Sequence, residues 1–223
     1  MRRRFAAILC AAACSLAHAH GLVHERIDAV TASIALAPSD ARLYLDRAEL
    51  YRVDRDFDAA LADYARAEAL DVGLAEVDFA RGKLWIDAGE WALARASLDR
   101  FLATRPDHAD ARARRAQVLM RLDEAAAAVD DWNHAIRLFG RGKPEHYVER
   151  ARARAALGSV QIGVALIELE EGYAALGPII ALDDVAIELE ARRGNWDAAI
   201  QRIDRVIRSG ARRDVWLARR AAM

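Results

Sequence analysis

Apolar and polar positions alternate with a helical period along most of the chain, and the pattern itself recurs. Residues 56–67 read DFDAALADYARA. Related stretches open at Glu90 (EWALARASLDRF), Glu124 (EAAAAVDDWNHA), Ser159 (SVQIGVALIELE) and Asn195 (NWDAAIQRIDRV). The intervals between openings are 34, 34, 35 and 36 residues. Each stretch has a small residue at its fifth place: Ala60, Ala94, Ala128, Gly163 and Ala199. Four residues later each has a bulky one: Tyr64, Leu98, Trp132, Ile167 and Ile203. A spacing of four puts both on one face of an α-helix. A fixed period of this size marks a repeat architecture, in which each unit buries its apolar face against its neighbours.

Each stretch follows a second helical segment, over residues 40–53, 75–88, 109–122, 144–157 and 180–193. A small residue stands near the middle of the first four, at Ala48, Gly82, Ala116 and Ala151, and Ile187 takes that place in the fifth. A small residue lets two antiparallel helices approach closely. Tyr51, Trp85 and Leu119, three places on, fill the space beside it, whereas Arg154 and Glu190 stand there in the last two copies. The four prolines, Pro38, Pro106, Pro144 and Pro178, all fall between copies, where helices begin. Gly140 and Gly142 loosen the junction before Pro144, where the interval lengthens. Trp85, Trp91, Trp132 and Trp196 fall at packing places and are expected as core anchors. Residues 22–37 form one amphipathic helix on the spacing of Ile27, Val30 and Ile34, and residues 213–221, with Trp216 and Leu217, form a short closing helix. Such caps cover the packing face that an end repeat would otherwise expose.

This pattern resembles the tetratricopeptide repeat. Tyr44, Ala48, Tyr51, Ala60, Tyr64 and Ala67 match it in the first copy; Gly82, Trp85, Ala94 and Pro106 match in the second, where Phe101 replaces the last alanine. Trp132 and Ala135 anchor the third. The resemblance covers residues 39–210 and rests most on the first three copies. It implies an all-α solenoid of about five helix-turn-helix repeats, near 41–74, 75–108, 109–143, 144–179 and 180–212. An N-terminal capping helix over 20–38 would precede this repeat domain (39–223). The resemblance also implies a function, because the family holds a peptide or protein segment in a concave groove lined by the first helix of each pair. Carried over, the groove residues are Arg42, Leu45, Glu49 and Arg52, then Phe79, Lys83 and Ile86, then Ala113, Gln117 and Met120. That mixture suits a peptide with an apolar anchor and some charge. Family members that clamp a C-terminal carboxylate use Lys and Asn on these helices. Here Leu45 and Glu49 stand in comparable places; Glu49 would repel a carboxylate, with Arg52 and Lys83 compensating in part.

The N-terminus adds an expected location. Met1-Arg2-Arg3-Arg4 is a basic start, and Phe5 to Leu16 is an apolar run, shorter than the about 20 residues a membrane helix takes. Ala17-His18-Ala19 has the small-x-small form that a signal peptidase cuts after. Residues 1–19 are therefore expected to be a cleaved export signal of bacterial style, giving a periplasmic or secreted protein that starts at His20. Cys14 leaves lipid attachment open as a lesser alternative, although Ala11 stands where a lipoprotein signal has a Leu-like residue. Both cysteines, Cys10 and Cys14, lie in this segment, so the mature chain holds no disulfide and is stabilised by packing. The net charge of −1 becomes −4 when Arg2, Arg3 and Arg4 are removed, leaving 30 basic against 34 acidic residues. No basic stripe suggests nucleic acid, and the mature chain has no transmembrane segment. The expected partner is a protein or peptide.

Metal binding and catalysis call on other residues of the sequence. His18, His20 and His24 crowd the start of the chain. A terminal amine and its own imidazole chelate copper, and His24 would share a helical face with His20. Copper binding or delivery through His20 and His24 is thus the alternative function. Catalysis is not expected, because the chain has no Gly-rich phosphate loop, no Gly-x-Ser-x-Gly and no His-Glu-x-x-His. Asp183-Asp184 and Glu170-Glu171 read as helix-surface or turn charges, His108 as a helix-entrance residue, and His134 and His146 as helical residues without partners at ligand spacing. No cofactor is expected.

Overall fold

The structure, a computed structural model, describes residues 21–208 and 213–222. The expected export signal, Cys10, Cys14, His18 and His20 lie outside the described residues. The described residues are helical, joined by short turns, without a strand among them. They divide into two compact units, one ending at Thr104 and the other beginning at Arg105.

The first unit opens with α1 over 21–36. Two hairpins follow: α2 (Ala41–Asp54) with α3 (Phe57–Leu70), and α4 (Glu76–Ala88) with α5 (Trp91–Thr104). Asp40 caps α2 by accepting the Arg42 N–H at 2.9 Å, and Asp56 caps α3 by accepting the Ala59 N–H at 3.1 Å. The turn inside the first hairpin bends at Arg55 with φ 67°, and Gly89 takes the equivalent place in the second with φ 80°. This left-handed residue ends one helix and frees the chain to start the next. Ala48, Ala60, Tyr64 and Ala67 are fully buried in the first hairpin. In the second, a methyl group on Gly82 would lie 2.9 Å from Leu98, so the absent side chain is what lets α4 approach α5. Ile27 and Ile34 of α1 are buried, and Val30 packs on the core of the first hairpin.

The second unit holds three hairpins: α6 (Ala109–Arg121) with α7 (Ala125–Phe139), α8 (Pro144–Ala156) with α9 (Ile162–Leu176), and α10 (Ile180–Arg192) with α11 (Trp196–Arg208). Helix α12 (Arg213–Ala221) closes it, with Trp216 buried against Ile187, Ala199 and Ile203. His108 caps α6 through Nδ1, which accepts the Ala111 N–H at 3.1 Å. Pro144 takes the first position of α8, where its missing N–H costs nothing.

The fourth hairpin departs from the expected register. Gly163 and Ile167 do not lie in its seam. No atom stands within 4 Å of where a Gly163 side chain would begin, and Ile167 is 65% exposed. Ala165 and Leu169 are fully buried instead, and Gly172 faces the Tyr147 ring, which a methyl there would meet at 3.0 Å. The seam residues are thus Ala60, Ala94, Ala128, Ala165 and Ala199, at intervals of 34, 34, 37 and 34. The longer interval has two sources. The interval from Ala116 to Ala151 is 35, across the Gly140–Lys143 linker, and the α8–α9 connection contains a 3-10 turn, Ser159–Gln161, that other hairpins do without. Helix α9 also carries apolar residues on more than one face (Ile162, Val164, Leu166, Ile167, Leu169), so its period alone does not choose which face turns inward.

Two further expectations change. Trp132 is fully buried, but Trp196 is 49% exposed and so is not a core residue. Asp183 is buried rather than a surface charge. His146 is buried too, stacked on Phe139 with ring centroids 4.7 Å apart.

Candidate functional site

The first, third and fourth hairpins are each pinned by a buried arginine–carboxylate pair that positions the first helix. Arg47 of α2 makes a two-pronged contact to Asp63 of α3, at 2.7 and 2.8 Å, and reaches Thr31 of α1 at 3.0 Å. Sixteen residues separate Arg47 from Asp63, and the same separation joins Arg115 to Asp131, at 2.6 and 2.8 Å. Asp131 also accepts from Arg112 at 3.0 Å. In the fourth hairpin, with its longer turn, the acid is Glu168. Arg154 contacts it at 2.7 and 3.1 Å, and Arg150 lies 3.9 Å away. In the second hairpin Ser97 replaces the acid, and Arg81 turns to Glu68 of α3 at 2.7 Å. Planar guanidinium groups meet carboxylates in a fixed geometry, so these pairs set the depth and rotation at which each first helix sits.

On the first unit these helices present a connected polar surface. Glu49 of α2 is its centre. Its carboxylate accepts from Tyr64 Oη at 2.5 Å, from Lys83 Nζ of α4, and from Arg52 at 3.3 Å. Arg52 also pairs with Asp87 of α4. Two ion pairs, Glu49–Lys83 and Arg52–Asp87, therefore tie α2 to α4 side by side. Burial alone would raise the Glu49 carboxyl, but hydrogen bonds from Lys83 and Tyr64 and the charges of Lys83 and Arg52 hold it below the usual range. Burial, with the neighbouring carboxylate, pushes the Tyr64 phenol up, so it stays a donor. Phe79 stacks on Phe101 with centroids 5.0 Å apart, and Lys83 Nζ lies 5.3 Å from the Phe79 ring. Arg42 is exposed, while Leu45 and Ile86 are half-buried.

The residues expected to line a groove thus separate into kinds. Glu49, Arg52 and Lys83 meet one another and leave no net charge among themselves and Asp87. Arg42, Leu45 and Ile86 offer surface, and Phe79 is shared with the core. In the second unit, Gln117 is exposed and Met120 half-buried. Ala113 is buried among Ala116, Leu119 and Trp132, so it belongs to the core rather than to a surface. Of the two histidines of the metal reading, His20 lies outside the described residues, and His24 Nε2 is 3.6 Å from Asp54. Among the described residues no three His, Cys, Asp or Glu side chains are placed to hold a metal ion, and no helix is long and apolar enough to cross a membrane.

The seam pairs were not among the residues singled out from the sequence, yet a signal exists. Arginine precedes the small residue in four copies, at Arg47-Ala48, Arg81-Gly82, Arg115-Ala116 and Arg150-Ala151. The acid follows three places after the seam alanine, at Asp63, Asp131 and Glu168.

Solved structures share this arrangement of hairpins. YrrB, described as a tetratricopeptide-repeat protein with an unusual peptide-binding site, superposes with a TM-score of 0.72 at 19% identity, over 87% of this chain and 99% of its own. The chain has the tetratricopeptide-repeat fold. PilF of Pseudomonas aeruginosa matches this repeat chain with a TM-score of 0.68 at 16% identity, over 92% of this chain and 91% of PilF. MamA matches it at 0.69 and 21% identity, over 77% and 92%. No protein-family model matches the repeat chain, and no curated protein matches its sequence.

Proposed function

We propose that the protein is a non-catalytic interaction scaffold of the periplasm that holds a peptide or protein segment on its first helices. One observation carries this reading: Glu49–Lys83 and Arg52–Asp87 fix α2 beside α4 and neutralise each other. The surface is thereby organised before any partner arrives, which lowers the ordering cost of binding. Because its central charges are already matched, recognition falls to the side chains around them. Leu45 and Ile86 supply apolar contact, and Arg42 supplies an exposed cation. A free C-terminal carboxylate is a poor fit, since Glu49 occupies both Lys83 and Arg52. The peptide-binding site named for YrrB supports the same kind of ligand. The basic start and apolar run of residues 1–16 support export.

The test places a photo-crosslinking amino acid at Leu45 or Ile86 in the native host, with Ala62 and Ala96 on the second helices as controls. A defined adduct from Leu45 and Ile86, lost when the other position is changed to Glu, is the expected result. Equal adducts from all four positions, or none from the first helices, would overturn the reading. The size of the chain in the periplasmic fraction checks processing after Ala19.

A further inference from the structure

The Glu49 carboxylate keeps no hydrogen-bonding capacity for a partner. An ionised carboxylate offers about four lone-pair sites on its two oxygens. Oε1 of Glu49 accepts from Tyr64 Oη at 2.5 Å and from Arg52 Nε at 3.3 Å, and Oε2 accepts from Lys83 Nζ and from Arg52 Nη2 at 3.3 Å. Three of these four bonds come from the cations of the first-helix surface. The third nitrogen of Arg52 is held by Asp87. An acidic group arriving from outside must therefore displace Glu49 to reach Lys83 or Arg52.

The fourth bond decides how hard that displacement is. Tyr64 is fully buried in the first hairpin, and its hydroxyl reaches Glu49 from the second helix, α3. Close packing holds its ring in place, so the carboxylate is fixed from the core side. The repeats supply a comparison. The place after the middle of each first helix holds Glu49, Lys83, Gln117, Arg152 and Glu188, and the bulky seam place of each second helix holds Tyr64, Leu98, Trp132, Leu169 and Ile203. Four copies pack this place without a hydroxyl, so packing does not require one. In the fifth copy a carboxylate, Glu188, is set in a hairpin whose seam offers Ile203, and it is exposed where Glu49 is half-buried. Among the five copies, the hydroxyl and the fixed carboxylate come together in the first.

We propose that Glu49, positioned by Tyr64, is the specificity determinant of the first-helix surface: it stands on Lys83 and Arg52 in place of an acidic ligand, and so restricts the partner to a segment without an acidic group at this point. The inference rests on the first-helix reading of the function and names the charge class of its partner.

Binding of a fluorescently labelled hexaglutamate peptide, followed by anisotropy at low salt, tests it. Glu49→Gln takes the group of Glu49, Arg52, Lys83 and Asp87 from neutral to singly positive, and glutamine keeps an acceptor for Tyr64 Oη. The expected result is an affinity at least about tenfold above that of the wild type, with the gain removed by adding Lys83→Met and weakened by salt. Tyr64→Phe keeps the buried ring and loses the hydroxyl. It is expected to raise the Glu49 pKa read by NMR, since a hydrogen bond to the charged form lowers it, and to bind the peptide with an affinity between those of the wild type and Glu49→Gln. Each variant should retain the circular dichroism of the wild type. A wild-type chain that binds the peptide as tightly as Glu49→Gln, or a gain that survives Lys83→Met, would overturn the role of Glu49. An unshifted Glu49 in Tyr64→Phe would overturn that of Tyr64. The probe needs no native partner, so failure here is distinct from an absence of crosslinks at Leu45 and Ile86, which would overturn the functional reading itself.

Discussion

The first and fourth hairpins solve one packing problem with different connections. In α2–α3 the seam holds Ala48, Ala60, Tyr64 and Ala67, and the turn is tight at Arg55. In α8–α9 it holds Ala151, Ala165, Leu169 and Gly172, and the chain takes an extra 3-10 turn between the helices. What persists is the pair of small residues face to face, the bulky residue beside them and the buried arginine–carboxylate pair. The number of residues between them does not persist. The fold is therefore specified by close approach of two helices and by one oriented ion pair, while the connection is free to lengthen at the modest entropic cost of a longer loop.

The two ion pairs differ in redundancy, and the largest expected effect follows from that. Asp63 is buried with Arg47 as its partner, whereas Glu168 has both Arg154 and Arg150 nearby. Arg47→Met would leave a buried carboxylate without its cation, a change expected to cost about 3–5 kcal/mol. Adding Asp63→Leu should recover most of this, because a well-packed apolar pair replaces a buried ion pair without large loss. Arg154→Met leaves Arg150 in place and should cost about 1–2 kcal/mol. Hydrogen exchange resolved by helix measures both, and in a repeat protein it reports each hairpin's local opening. Equal losses in the two hairpins would show that the second arginine of α8 contributes nothing.

The seam register gives the next effect. Ala60→Leu and Ala165→Leu each force a large side chain between closely packed helices, at about 1–3 kcal/mol. Gly163→Leu should cost nothing measurable, since open space surrounds that position and leucine has the better helix propensity. Urea unfolding of the three variants makes the comparison. A Gly163→Leu chain as unstable as Ala165→Leu would return Gly163 to the seam and restore the spacing of 35 and 36 residues.

That last contrast marks how far the sequence could be read. Where a second helix is apolar on one face, as in α3 with Ala60, Tyr64 and Ala67, period and burial agree. Helix α9 is apolar on several faces, and its own pattern admits two registers. The equivalent arginine and acid, Arg150 and Glu168, would have decided between them, because a buried charge must find its partner. The first-helix surface was legible as a set of positions, but its internal pairing was not. Glu49–Lys83 and Arg52–Asp87 join residues 34 and 35 apart, so they depend on how neighbouring hairpins stack. Ala113 was misplaced for a related reason: an alanine on a first helix is as easily core as surface, and only its neighbours Leu119 and Trp132 settle the matter.

The smallest effect separates the two hairpins by pH. His146 of α8 stacks on Phe139, and its Nδ1 accepts the Lys143 N–H at 3.2 Å, which requires an unprotonated nitrogen. Burial lowers its pKa, against a smaller opposing pull from Glu145. A group whose folded pKa is depressed contributes stability above its unfolded value and loses it as pH falls toward the folded one. The loss in α8–α9 should therefore begin below about 6.5, the unfolded histidine value. Leu43 holds the equivalent place in α2, so the first hairpin has no such step there. Its depressed group is Glu49, whose contribution is kept to lower pH and lost only as the solution passes down through the carboxylate range. Urea midpoints of the wild type, His146→Gln and Glu49→Gln between pH 7.5 and 3.5 test this. His146→Gln keeps an acceptor for the Lys143 N–H and should flatten the curve between neutrality and mild acid, leaving the lower step intact; Glu49→Gln should do the reverse. A wild-type curve already flat from pH 7.5 to 5.5 would mean that protonation of His146 is met by a local rearrangement of α8 rather than by loss of its packing.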